Sequence, residues 1–305
     1  MPRSQQPILV FGATGQQGGS VAKALLQGAR PVRAFVRDPS SPGAVALFDA
    51  GAELARGSFD DRSSMREAMR DACGVFSVQP SSPGGTVKDE EEVGYGITIA
   101  DLAVEAGVRH LVYSSGAAVG DKPTGVAHFD TKARIEAHIR ALPITWTIIR
   151  PATFMEMLLM PGFGLDEDRF TFFARPDQSM QFLAVEDIGR IVSAVFADPE
   201  RFGGQAFEIA GDRLTGHDLE ALFTQAAGRH IAYSRFSDEV LAANPFLAKL
   251  AALLDDGPLA GHADLEALRA VEPRMLRFRE WLMGSGREAF ARALGAKGSW
   301  AYNNA

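Results

Sequence analysis

A chain of 305 residues with 46% hydrophobic content and 23% charged residues can bury one large core or two unequal ones, which excludes a disordered or fibrous polymer. Its formal charge of −7 repels nucleic acid and acidic membrane surfaces, and no basic patch overrides it, since Arg274, Arg277 and Arg279 alternate with apolar residues as one solvated helix face. The one cysteine, Cys73, excludes an internal disulfide and reads as a packed thiol.

The first apolar run begins at Ile8 and is interrupted by glycines too early for a signal-peptide core, and no segment approaches a membrane span, so a cytoplasmic protein is expected. Ile8 to Phe11 is a buried strand that runs into Gly12-Ala13-Thr14-Gly15-Gln16-Gln17-Gly18 and then a helix over Ser20 to Gln27. In such a strand–turn–helix, Gly12 lets the chain leave the strand, Gly15 lets backbone N–H groups approach a pyrophosphate, and Gly18 lets the helix pack closely. Thr14, Gln16 and Gln17 complete the expected phosphate turn, with the helix N-terminus facing the anion.

A second strand at Val32 to Val36 closes a βαβ unit and delivers Arg37-Asp38 where the adenosine ribose is expected. Arg37 suits a 2′-phosphate, which favours NADP(H) over NAD(H); the alternative is a surface ion pair between Arg37 and Asp38. A third strand at Glu53 to Ala55 is followed by Asp60-Asp61, either to accept from the adenine amino group (Asp60) or to cap a helix over Ser63 to Met69. A fourth strand, Val75 to Val78, leads through Gln79 toward the nicotinamide side.

A helix over Glu91 to Ala106, a strand at Leu111 to Ser114, a helix over Thr131 to Arg140 and a strand at Thr145 to Ile149 complete an alternating pattern over residues 1–150. That pattern predicts an α/β fold, a doubly wound parallel Rossmann sheet with ligands at the carboxyl ends of its strands. Residues 151–305 read as a smaller, partly interleaved α/β lobe that lines a substrate or partner cleft. In it we expect strands at Gln181 to Val185, Ala206 to Ile209 and Ile231 to Tyr233, helices over Glu186 to Phe196 and Gly216 to Ala227, and a helical texture from Asp238 onward.

Tyr113-Ser114-Ser115-Gly116, His128-Phe129-Asp130-Thr131-Lys132 and Ile148-Ile149-Arg150-Pro151, in order after the glycine motif and Arg37, resemble the NmrA-like family of atypical short-chain dehydrogenases, especially its HSCARG-type members. The resemblance implies an NADP(H)-binding Rossmann domain in a family of nicotinamide-sensing regulators and NADPH-dependent quinone or carbonyl reductases. It assigns Gly12, Gly15 and Gly18 to the pyrophosphate, Arg37 to the 2′-phosphate and Lys132 to the nicotinamide ribose.

Active short-chain dehydrogenases use Tyr-x-x-x-Lys, whereas this chain has His128-x-x-x-Lys132. His128 is either a proton donor or a structural residue, and Tyr113 either a substitute phenol or a packed one. Phe154, Met155 and Met157 are expected beside the nicotinamide, with Met157 standing where relatives commonly carry asparagine. No metal-ligand spacing and no Gly-x-Ser-x-Gly elbow occur. The missing tyrosine favours a nicotinamide redox sensor read by a protein partner; the alternative is an NADPH-dependent reductase of small apolar quinones, reactive carbonyls or alkenes.

Overall fold

In chain order the computed structural model runs β1 (Ile8–Val10), α1 (Gln16–Gln27), β2 (Val32–Val36), α2 (Pro42–Asp49), β3 (Glu53–Arg56), α3 (Arg62–Ala68), β4 (Gly74–Ser77), α4 (Asp89–Glu105), β5 (His110–Ser114), α5 (Ala127–Ala141) and β6 (Thr145–Pro151). It continues with β7 (Thr153–Phe154), β8 (Arg169–Phe172), β9 (Met180–Leu183), α6 (Val185–Ala197), α7 (Pro199–Phe202), β10 (Gln205–Ile209), β11 (Asp212–Leu214), α8 (Gly216–Ala227) and β12 (Ala232–Arg235). Five helices follow: α9 (Asp238–Ala243), α10 (Pro245–Asp255), α11 (Leu265–Val271), α12 (Phe278–Met283) and α13 (Arg287–Gly295). The structure describes residues 6–81, 87–120, 122–255 and 257–295.

The chain divides into two compact units. The first comprises the chain up to Pro123 with Ala127–Arg150 and Val185–Phe207; the second comprises Thr124–Val126, Pro151–Ala184 and the chain from Glu208 onward. The central sheet has the order β10-β6-β5-β4-β1-β2-β3, and the pairs from β6 through to β3 are parallel. Because the order reverses between β1 and β4, the carboxyl ends of those two strands flank the switch point at which open α/β sheets take ligands.

Helices cover both faces of this sheet, which is why its inner strands are apolar throughout rather than alternating. One face buries Leu9, Phe11, Phe35, Val75, Leu111, Tyr113 and Ile148 against Met65, Ile99, Ile135 and Ile139 from α3, α4 and α5. On the other, α1 and α6 approach closely at Gly189, where a Cβ would stand 2.3 Å from the Ser20 carbonyl oxygen. Ser20 Oγ ties the pair by donating to Glu186 O and accepting from Gly189 N–H. The Cys73 thiol is half-buried, 3.3 Å from Gln6 O.

The second unit holds a three-stranded sheet β11-β9-β7 and a parallel pair β12-β8. Its core is rich in aromatics, with Phe170, Phe223 and Phe278 fully buried and Trp281 packed on Phe278. Two expectations are corrected here. Arg274, Arg277 and Arg279 do not share a helix face: Arg274 precedes α12 and pairs with Glu272, and Arg277 is the N-cap of α12. Met155 lies in the core of this unit, while Met157 is exposed on the 3-10 turn Met155–Leu159.

Candidate functional site

The glycine turn leaves β1 with Phe11 N–H donating to Phe76 O, and Gly12 takes a left-handed φ of 62° that a side chain would strain. Gly15 is the N-cap of α1 and offers no side chain, and the first turn of α1 carries no acid, so among the described residues its leading N–H groups have neither an internal acceptor nor a side-chain cap. At Gly18 a Cβ would come within 2.3 Å of Gly12 O and 2.6 Å of Phe11 O, so the helix lies backbone to backbone on the turn. Thr14 and Gln16 are exposed on this turn, and Gln17 is half-buried, its Oε1 accepting from Ser114 Oγ at 2.6 Å.

Arg37 is exposed just beyond β2, and its guanidinium has no hydrogen-bond or ion-pair partner among the described residues. The surface ion pair with Asp38 is not formed. Instead Asp38 accepts from Ser40 N–H and Ser40 Oγ, and those bonds hold its carboxyl below the usual range. Asp61 caps α3 through Ser63 and Ser64 N–H, whereas Asp60 accepts from the Tyr95 hydroxyl of α4. That bond is the first cause of the Tyr95 phenol being pushed up to about 12.

Beyond β4, Gln79 is nearly buried; its Nε2 is 3.4 Å from the Tyr113 hydroxyl, and its Oε1 has no hydrogen-bond partner among the described residues. Tyr113 is fully buried inside the sheet, which raises its pKa and keeps the phenol away from the surface. A short way on, four side chains from three chain segments meet around Lys132. Its ammonium donates to Glu92 Oε1 at 2.7 Å and to Ser81 Oγ at 3.3 Å, and stands 3.3 Å from His128 Nδ1. Ser81 Oγ is itself 3.0 Å from His128 Nδ1 and 3.5 Å from Glu92 Oε2.

Glu92 is 0% and Lys132 7% exposed, whereas Ser81 and His128 are half-buried. Burial lowers the Lys132 pKa while Glu92 opposes the shift. Burial and then the Lys132 charge push the His128 imidazole down to about 3, so it is neutral near pH 7 and a poor acid. Neither Glu92 nor Ser81 stands in a sequence motif that marks it for this cluster. Glu92 ends an acidic run, Asp89 to Glu92, that the positive end of the α4 dipole already accounts for. Arg150, quoted above for its motif, pairs with the buried Glu136, which also accepts from Ser115 Oγ; this network fastens α5 to β5 and β6.

The glycine turn, Gln79, Ser114 and the Lys132 cluster all stand at the carboxyl ends of β1, β4 and β5 or on the segments that follow them. An open groove of about 640 Å³ lined by Pro143, Trp146, Pro199 and Gly203 lies at the opposite, amino end of β6 and includes none of these residues. Among the described residues no group of three or more His, Cys, Asp or Glu could hold a metal, and no helix is long and apolar enough to cross a membrane.

The family model for the NmrA-like family matches residues 4–281. The chain belongs to the NmrA-like family. It is 35% identical over 255 residues to the NmrA-like family domain-containing oxidoreductase FrzB of Cladobotryum sp, covering 74% of this chain and 75% of the relative. Among solved structures, this NmrA-like chain shares its fold with NmrA, a negative transcriptional regulator, in complex with NADP (TM-score 0.77, 19% identity, 94% of this chain and 98% of the other). It also matches the NADPH-dependent quinone oxidoreductase QOR2 of Escherichia coli complexed with NADPH (TM-score 0.76, 22% identity, 90% and 98%).

Proposed function

We propose that this NmrA-like protein binds NADP(H) along the carboxyl ends of β1, β2, β4 and β5 and reduces a small quinone, reactive carbonyl or activated alkene. The observation that carries the reading is the buried Lys132 cluster at the same sheet edge as a helix N-terminus with no acidic side chain in its first turn. The residues fit the cofactor in three respects. Gly18 lets α1 lie backbone to backbone on the turn and its N-cap Gly15 brings no side-chain cap, the Arg37 guanidinium has no partner among the described residues, and Gln79 Oε1 is buried without a partner among them.

In this reading the turn from Gly12 to Gly18, with Thr14, Gln16 and Gln17, holds the pyrophosphate through backbone N–H groups. Arg37 takes the 2′-phosphate, Asp60 the adenine side, Gln79 the nicotinamide side and Lys132 the nicotinamide ribose. The bound cofactor supplies a hydride. Lys132 reaches a ribose hydroxyl by sharing an N–H with one of its 3.3 Å acceptors, while the 2.7 Å bond to Glu92 keeps the ammonium in place. His128 acts as a neutral hydrogen-bond acceptor.

The second reading, a redox-sensing regulator, is favoured by histidine at the position of the usual tyrosine and by the fold shared with NmrA. It requires the two cofactor states to differ in affinity for two protein conformations. NADPH oxidation followed by absorbance, with quinones and reactive carbonyls as acceptors and Lys132→Ala as control, separates the two. Turnover that disappears in Lys132→Ala supports the reductase; NADPH binding with no turnover on any acceptor refutes it in favour of the sensor.

A further inference from the structure

Reduction of a quinone or carbonyl consumes a proton as well as a hydride, and the usual tyrosine is missing. We propose that Ser81 is the proton donor of this site, paired with Lys132 in place of the phenol. The inference rests on the reductase reading above. An ammonium has three N–H donors and no acceptor. Lys132 has three acceptors within reach: Glu92 Oε1, Ser81 Oγ and His128 Nδ1.

His128 Nδ1 therefore accepts, which assigns the proton of the neutral ring to Nε2. Ser81 Oγ accepts from Lys132 and keeps its own hydrogen. Among the described residues that hydrogen has only His128 Nδ1, already served by the ammonium, and Glu92 Oε2 at 3.5 Å as alternatives to a substrate oxygen. Exposure points the same way. Glu92 and Lys132 are buried, so Ser81 and His128 are the members of the cluster a substrate can touch, and of these two the hydroxyl has the proton beside a positive charge. That charge stabilises the oxygen as its proton leaves.

The step balances. The acceptor gains a hydride with its two electrons from NADPH, the C=O π pair moves onto oxygen, and that oxygen takes the Ser81 proton as the Oγ–H bond breaks. An N–H of Lys132 reprotonates Oγ, and water returns a proton to the amine. Glu92, which touches neither substrate nor cofactor, is a positioning residue that holds Lys132 against Ser81.

The test compares Ser81→Ala and Ser81→Thr with the wild type on two acceptors: a quinone, which needs a proton, and a triarylmethyl cation, which takes a hydride and needs none. NADPH affinity is measured alongside. Ser81→Ala is expected to lower kcat on the quinone by about 100-fold, in the range for loss of a general acid. Its loss on the cation should be at least about tenfold smaller, and Ser81→Thr should restore most of the quinone rate. Equal losses on both acceptors overturn the assignment of Ser81 and leave the reductase intact. A wild type that oxidises NADPH with neither acceptor overturns the reductase, and the proposal with it. Independently of turnover, nitrogen-15 NMR of the cofactor-free protein should show an unprotonated His128 Nδ1 in the wild type and Ser81→Thr; a protonated Nδ1 overturns the proton account.

Discussion

Removing the carboxylate from the Lys132 cluster tests whether Glu92 holds the charge in place. At 2.7 Å, an effective dielectric of about 20 gives a gross attraction of roughly 6 kcal/mol, and breaking a buried pair from one side typically costs about 3–5 kcal/mol. The loss has a ceiling, because Lys132 can shed its proton instead, at about 4.6 kcal/mol at pH 7 from an ordinary pKa near 10.4. Glutamine at position 92 keeps one acceptor, so Glu92→Gln should cost about 2–4 kcal/mol in urea unfolding, a large part of a typical total of about 5–15.

The sign of the pH dependence follows from Lys132. Burial depresses its folded pKa, and without the carboxylate nothing opposes that shift, so the unfolded chain binds more protons over the window below about 10.4. The Glu92→Gln variant should therefore regain stability as pH rises from 7 toward 10. Glu92→Gln combined with Lys132→Met should recover at least half of the single loss. A loss below about 0.5 kcal/mol, or strictly additive losses in the double variant, would refute the coupling.

Gly18→Ala should cost about 1–3 kcal/mol in urea unfolding, because its Cβ meets backbone rather than a movable side chain. Gly15→Val should abolish NADPH binding in a fluorescence titration while moving the urea midpoint less than Gly18→Ala; unchanged affinity would remove the pyrophosphate site. Arg37→Ala should weaken NADPH by about 1.5–3 kcal/mol and NADH much less, and equal losses would end the preference for NADP(H). His128, held at about 3, contributes stability that is full above pH 6.5 and is lost as pH falls toward 3. His128→Asn should flatten part of the acid limb of stability against pH, leaving the part due to His110, which burial holds at about 4.

The parallel sheet was legible because strands covered on both faces read as continuous apolar runs, and β1, β2 and β6 lie where the pattern puts them. The helix α2 was not expected. It is eight residues long and leaves Val45 and Phe48 exposed, so it shows little of the periodicity that marks a helix. The helix α5 begins at Ala127 rather than at Thr131, which sets His128 and Lys132 one turn apart on the same helix. Glu92 and Ser81 were hidden for another reason: they reach Lys132 across 40 and 51 residues, and a local motif carries no record of such a meeting. Met155 was drawn toward the site by its apolar, irregular neighbourhood, which is equally the texture of a core corner.

A calorimetric titration of NADPH and then NADH into the wild-type protein tests the account most directly. It predicts one saturable site per chain, with NADPH bound at least about tenfold more tightly, as the Arg37 pairing requires. No saturable binding, or binding that survives unchanged in Gly15→Val, would contradict it.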